Sequence, residues 1–122
     1  MFIQETPYRA GWYCLKSTPA ECDILSDALP LYVYINKSDM SADALPADEL
    51  DAAQKLAELF SYKFTVSVFS PHDIINIYGA LCLFLDACDD FPEVCAAPDD
   101  DARALCSSMI EDIRDITLSI VD

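Results

Sequence analysis

The side chains that could do chemistry in this chain are 22 carboxylates, six thiols and one imidazole, and their spacing decides what each set can do. Cys82, Cys88, Cys95 and Cys106 are separated by five, six and ten residues, whereas a structural zinc site opens with a pair two to four residues apart. His72 is the only histidine, so zinc is disfavoured. Asp86, Asp89, Asp90 and Glu93, then Asp99, Asp100 and Asp101, are hard oxygen ligands of the kind calcium takes. They neither alternate nor surround a glycine at the sixth loop position, so the EF-hand pattern is absent and only weak cation binding is expected. Gly11 and Gly79 are the only glycines, which leaves no room for a GxSxG elbow, a P-loop or a GxGxxG turn. Carboxylates are too abundant to mark one acid/base pair. His72, just after Ser70-Pro71, reads as a surface residue at a helix start. The expectation is a protein without enzymatic activity, metal or cofactor.

The informative segment is Asp86 to Asp101, which holds seven acids and no base. Its two halves differ physically. Asp99, Asp100 and Asp101 suit an N-cap and the first turn of a helix, where they contribute about 1–2 kcal/mol together. Asp86, Asp89 and Asp90 fall at the C-terminal end of the preceding helix, where the dipole is negative and each costs a few tenths of a kcal/mol. A local rule broken without compensation marks a functional position. Phe91 lies among these acids, with Val94 close by, as an apolar anchor ringed by carboxylates. A second acidic set, Asp43, Asp48, Glu49, Asp51 and Glu58, lies on the outer side of a helix near residue 50. Glu111, Asp112 and Asp115 form a third, diluted by Arg103 and Arg114.

The formal net charge is -15 over 122 residues, yet 53% of the residues are hydrophobic, so the chain folds around a core rather than staying disordered. Direct nucleic-acid binding is disfavoured, because phosphates would be approached against a repulsive field. Salt adaptation would spread the acids evenly, whereas residues 62–85 hold one acid and one base. The amino terminus lacks the basic and apolar regions of a signal peptide. Ile74 to Leu85 is too short, and too interrupted by Asn76 and Gly79, to span a membrane. A cytoplasmic protein with reduced, mostly buried thiols is expected.

Several elements position these groups. Phe2-Ile3 and Trp12 to Leu15 read as a strand or hairpin. Thr18 and Glu21 have capping-box spacing ahead of a helix from about Pro19 to Leu29, with Cys22, Leu25 and Leu29 inward and Glu21, Asp23 and Asp27 toward water. Pro30 is expected to end that helix, and Leu31 to Ile35 to form a central strand. A second helix begins near Pro46, its inward stripe Leu50, Ala53, Leu56, Ala57 and Phe60. Lys63 to Phe69 alternates as a half-exposed strand near an edge. Ser70-Pro71-His72-Asp73 opens a long helix to about Cys88, and a last helix from about Asp99 to Ile120 carries the stripe Ala102, Cys106, Met109, Ile113, Ile116 and Ile120. The chain is therefore one α+β (or small α/β) domain over residues 1–122, with about three strands and four helices in the order β-α-β-α-β-α-α.

Clustered carboxylates around an aromatic suit the lysines and arginines that a nucleic-acid-binding protein or nuclease keeps for phosphates. The expected function is inhibition of such a partner. The expected contact residues are Asp86, Asp89, Asp90, Phe91, Glu93, Asp99, Asp100 and Asp101, with Asp48 and Asp51 from the second set. In size and charge the chain resembles phage and mobile-element inhibitors of bacterial defence, the anti-CRISPR and anti-restriction DNA mimics. The resemblance is compositional and includes no motif, so no residue role is carried over; it implies a bacterial host cytoplasm. Two alternatives compete: an immunity or antitoxin protein that caps a toxin active site, and a structural subunit or homodimer built through Met109 and Ile113.

Overall fold

Thr18 and Glu21 exchange both hydrogen bonds of a capping box, the Glu21 N–H donating to Thr18 Oγ1 at 3.2 Å and the Thr18 N–H to Glu21 Oε1 at 2.8 Å. The helix they open, α1, runs over Pro19–Ser38 in the computed structural model, which describes residues 1–8, 10–38, 46–62, 66–90, 92 and 98–121. It does not stop at Pro30, and the expected strand at 31–35 is the second half of α1. The proline removes one backbone N–H and crowds the preceding turn, at a cost of about 3 kcal/mol. Beyond it Leu31 and Val33 are buried, and Tyr32 and Ile35 pack against the core. At roughly 1.5–3 kcal/mol for each fully buried side chain, tertiary packing outweighs the local break.

The missing strand is replaced near the amino terminus. β1 (Phe2–Glu5) and β2 (Tyr13–Lys16) form an antiparallel hairpin, closed by Gly11 at φ +81°, a conformation that favours glycine. β3 (Val66–Phe69) pairs antiparallel with β2, giving the order β1-β2-β3. The half-exposed edge strand is thus where it was expected, with Val66 and Val68 facing outward and Phe69 buried. Phe69 stacks on Phe60 with ring centroids 5.6 Å apart. The order along the chain is β-β-α-α-β-α-α, which corrects the expected alternation and keeps the α+β class, the three strands and the four helices.

α2 (Ala47–Phe60) starts after Pro46 and buries Ala53, Leu56 and Phe60. α3 (Pro71–Ala87) is capped reciprocally, Asp73 N–H to Ser70 Oγ and Ser70 N–H to Asp73 Oδ2, both at 3.2 Å. A single 3-10 turn, Cys88–Asp90, follows it. α4 (Asp100–Val121) is capped by Asp99, whose Oδ1 accepts from the Ala102 N–H at 2.8 Å. The stripe through Cys106, Met109 and Ile113 is buried in the domain's own core. Among the described residues Cys14 and Cys82 are free thiols, and Cys22 and Cys106 are buried. No described helix is long and apolar enough to cross a membrane.

Glu21 faces inward rather than toward water. The amino group of Met1 hydrogen-bonds Glu21 Oε2 and lies 3.2 Å from Asp112 Oδ2, tying β1 to α1 and α4. Burial by itself would raise the Glu21 carboxyl, but hydrogen bonds from the Met1 amino group and from Thr18 outweigh it and leave the carboxyl below its ordinary value of 4.5. Ionised Glu21 therefore stabilises the fold above that value, and the contribution is lost as pH falls through the lower folded value.

Two outcomes follow from this packing. Pro30→Ala restores the missing N–H and should raise unfolding stability by about 1–3 kcal/mol in urea with helicity kept; unchanged or lower stability would speak against a continuous α1. Glu21→Gln should cost roughly 1–2 kcal/mol at neutral pH. The difference from wild type should shrink below the ordinary carboxylate value of 4.5, measured as urea midpoints against pH.

Candidate functional site

The described carboxylates of the 86–101 segment lie at the end of α3 and the start of α4. Asp86 is exposed in the last turn of α3, and Asp89 and Asp90 are exposed in the 3-10 turn beyond it. Arg103 Nη2, in the first turn of α4, donates to Asp89 Oδ1 at 2.6 Å. That ion pair places the end of α3 beside the start of α4, where Asp99, Asp100 and Asp101 are exposed. Arg103 offsets part of Asp89, so the unpaired charge expected at that position is smaller than the sequence implied. Phe91, Glu93 and Val94 lie outside the described residues, and their anchor role is left as an expectation.

The structure adds a wall that sequence reasoning missed. A groove of about 420 Å³ runs between α1 and the start of α4, rimmed by Asp23, Asp27, Asp99 and Asp101. Its floor is apolar, built from Ile24 and Phe84, both buried, with Leu105 half-buried beside them. Asp23 and Asp27 are exposed to water as expected, and they line the same groove as Asp99 and Asp101. The signal lay in two stripes of helical spacing, Ala20, Asp23, Ile24 and Asp27 on one helix and Asp101, Ala102 and Leu105 on the other, with Pro98 just before its cap. Only the pairing of α1 with α4 reveals that they meet.

Asp48 and Asp51 do not join this groove. Both are exposed on α2, Asp51 lying 3.7 Å from Lys55 Nζ, and Asp48 borders a separate pocket with His72 at the opposite end of α3. His72 and Phe84, which line the two sites, are twelve residues apart and hence roughly 18 Å apart along the helix axis. Of the ten expected contact residues, Asp99 and Asp101 line the groove. Asp89 reaches the start of α4 through Arg103, Asp86, Asp90 and Asp100 are exposed outside the groove lining, and the α2 pair is remote. Glu111 and Asp115 are exposed on α4.

A carboxylate-rimmed groove with an apolar floor can receive basic side chains while removing apolar surface from water. Its rim offers charge and its floor offers contact area, the two components of an electrostatically steered interface. Comparison with protein-family models, characterised proteins and solved structures returns no match, so the reading rests on this geometry.

The acids of the two halves should separate in stability measurements. Asp99→Ala removes the α4 cap and should cost about 1 kcal/mol. Asp86→Asn relieves an unfavourable charge at the C-terminus of α3 and should raise stability by a few tenths of a kcal/mol. Urea unfolding of both variants checks the pair of signs, and a stabilising Asp99→Ala would contradict the cap.

Proposed function

We propose that this chain is a non-enzymatic acidic inhibitor that occupies a basic, nucleic-acid-binding surface of another protein. The observation that carries the reading is the convergence of Asp23, Asp27, Asp99 and Asp101 on one apolar-floored groove. Helix dipoles and solvation account for single acids, but they do not require acids from two helices to flank the same apolar strip. Lysines and arginines that neutralise phosphate in the partner would instead be neutralised by this rim, with the exposed Asp86, Asp90 and Asp100 adding to the negative field. The contact would be steered at long range and weakened by salt. It would exclude nucleic acid from the partner by occupying the same cations.

The test is competition. Immobilised wild-type chain should capture a basic nucleic-acid-binding protein at low salt, release it at high salt, and lose it when duplex DNA or RNA is added. Asp23→Lys combined with Asp27→Lys and Asp101→Lys should reduce affinity at least about tenfold, while Glu111→Lys with Asp115→Lys should change it far less. Melting curves of each variant confirm that it is folded. Equal losses from both sets would remove the groove as the contact. Binding indifferent to added nucleic acid would replace mimicry with capping of some other active site.

A further inference from the structure

The sheet has one covered face and one open one. Leu15 and Phe69 are buried and Ile3 packs against the core, which sets Ile3, Leu15, Ser67 and Phe69 on the inner side. The register then places Phe2, Lys16 and Val66 in one outward row and Gln4, Cys14 and Val68 in the next. A solvated sheet face is ordinarily polar, yet Phe2, Val66 and Val68 are each more than half exposed, at 56%, 55% and 51%. None of these six outward residues is an acid, and Lys16 is a base. In the sequence, residues 6–20 and 59–72 contain no Asp or Glu, so β2 and β3 are drawn from acid-free stretches of a chain with net charge -15.

The two edges of the sheet differ. β1 ends in Gln4 and Glu5, and the Met1 amino group ahead of it is tied to α1 and α4. β3, Val66-Ser67-Val68-Phe69, carries neither charge nor proline, the devices that keep an edge from pairing. In an antiparallel ladder alternate residues turn their N–H and C=O to opposite sides. Half of β3 therefore directs its main chain away from β2, where the sheet has no further described strand. A groove of about 270 Å³ lies between β3 and α2, with Val68 and the exposed Leu59 in its lining and one charge of each sign, Lys55 and Asp73, beside them.

Charge selects the occupant. A basic partner is drawn to the acids and would meet Lys16 here. A second copy is repelled by the acidic helices and approaches most readily where acids are absent. The strand also suits its own image. About a twofold axis through Ser67, Val66 of one protomer faces the partner's Val68 and Ser67 faces the partner's Ser67, the self-complementary plan of an isologous contact. The groove beside it, with Lys55 and Asp73, adds no net charge to oppose the approach. We propose that β3 pairs antiparallel with β3 of a second copy, joining two three-stranded sheets into one of six strands. A four-residue strand covers much less than the roughly 800 Å² per partner of a standard interface, so the dimer is weak and forms at high protein concentration. It does not depend on the inhibitor reading, and its salt dependence has the opposite sign. Screening the net charge favours self-association, whereas it weakens capture of a basic partner.

Sedimentation of the isolated chain, from about 10 μM to 1 mM protein and from about 20 to 500 mM NaCl, reads both effects. The dimer fraction should rise with concentration and, at fixed concentration, with salt. Val66→Lys with Val68→Lys sets like charges opposite one another and should weaken association at least about tenfold. Val66→Lys with Val68→Glu sets a base opposite an acid in the Ser67-centred register and should retain the dimer, now weakened by salt. Melting curves check that both variants fold. The wild-type chain supplies a readout that needs no variant, because backbone amides within 66–69 should gain hydrogen-exchange protection as concentration rises. A monomer at every concentration and salt, equal loss in the two double variants, or a dimer whose β3 amides stay unprotected would overturn the proposal.

Discussion

Helix α1 continues through Pro30 because the residues beyond the proline have more to gain from burial than the helix loses in one hydrogen bond. Leu31 and Val33 bury their side chains, Leu25, Ala28 and Leu29 do so before the break, and the two halves share one axis only if the helix is unbroken. α2, α3 and α4 all pack against this rod. Its first half supplies Asp23 and Asp27 to the groove and its second half supplies Tyr32 to the pocket beside Asp48 and His72, so groove and pocket both depend on a helix that local preference alone would have ended.

Charge and core are divided between elements in a way that lets a strongly acidic chain fold. α3 carries two acids, Asp73 and Asp86, and packs Ile74, Ile77, Ala80, Leu81 and Phe84 into the interior, while most of the described acids lie at helix starts and on outer faces. Many are tolerated there because a first-turn carboxylate interacts favourably with the helix dipole. Among the described acids Glu21 is the one that is buried, and it is matched by the Met1 amino group. Repulsion among the remainder is borne by a core that is apolar across all four helices.

Local signals were read correctly wherever the physics is local. The boxes at Thr18/Glu21 and Ser70/Asp73, the Asp99 cap and the inward stripes of α2 and α4 each depend on residues within one or two turns of one another. The misreadings required distant partners. Pro30 followed by five β-formers resembles a strand until three other helices are available to bury it. Glu21 looks solvent-facing until β1 brings Met1 over it. Asn76 and Gly79 look like interruptions of an apolar run until α1 brings Tyr32 against α3, and the groove that the exposed Asp23 and Asp27 share with α4 forms only where α1 meets α4. Asp48 and Asp51 share the charge of the 86–101 acids, but α3 keeps them at the other end of the fold.

That separation gives the protein an apparent valence that depends on its medium. At physiological ionic strength a surface charge is felt over about 8 Å, less than half of the roughly 18 Å along α3 between the groove and the pocket. The two ends then act as independent, short-range anions. In dilute buffer, where screening extends to about 30 Å, the same ends merge into a single polyanion. A basic surface approaching in dilute buffer therefore meets one diffuse charge, while in physiological salt it meets two local ones and can distinguish one end of the molecule from the other.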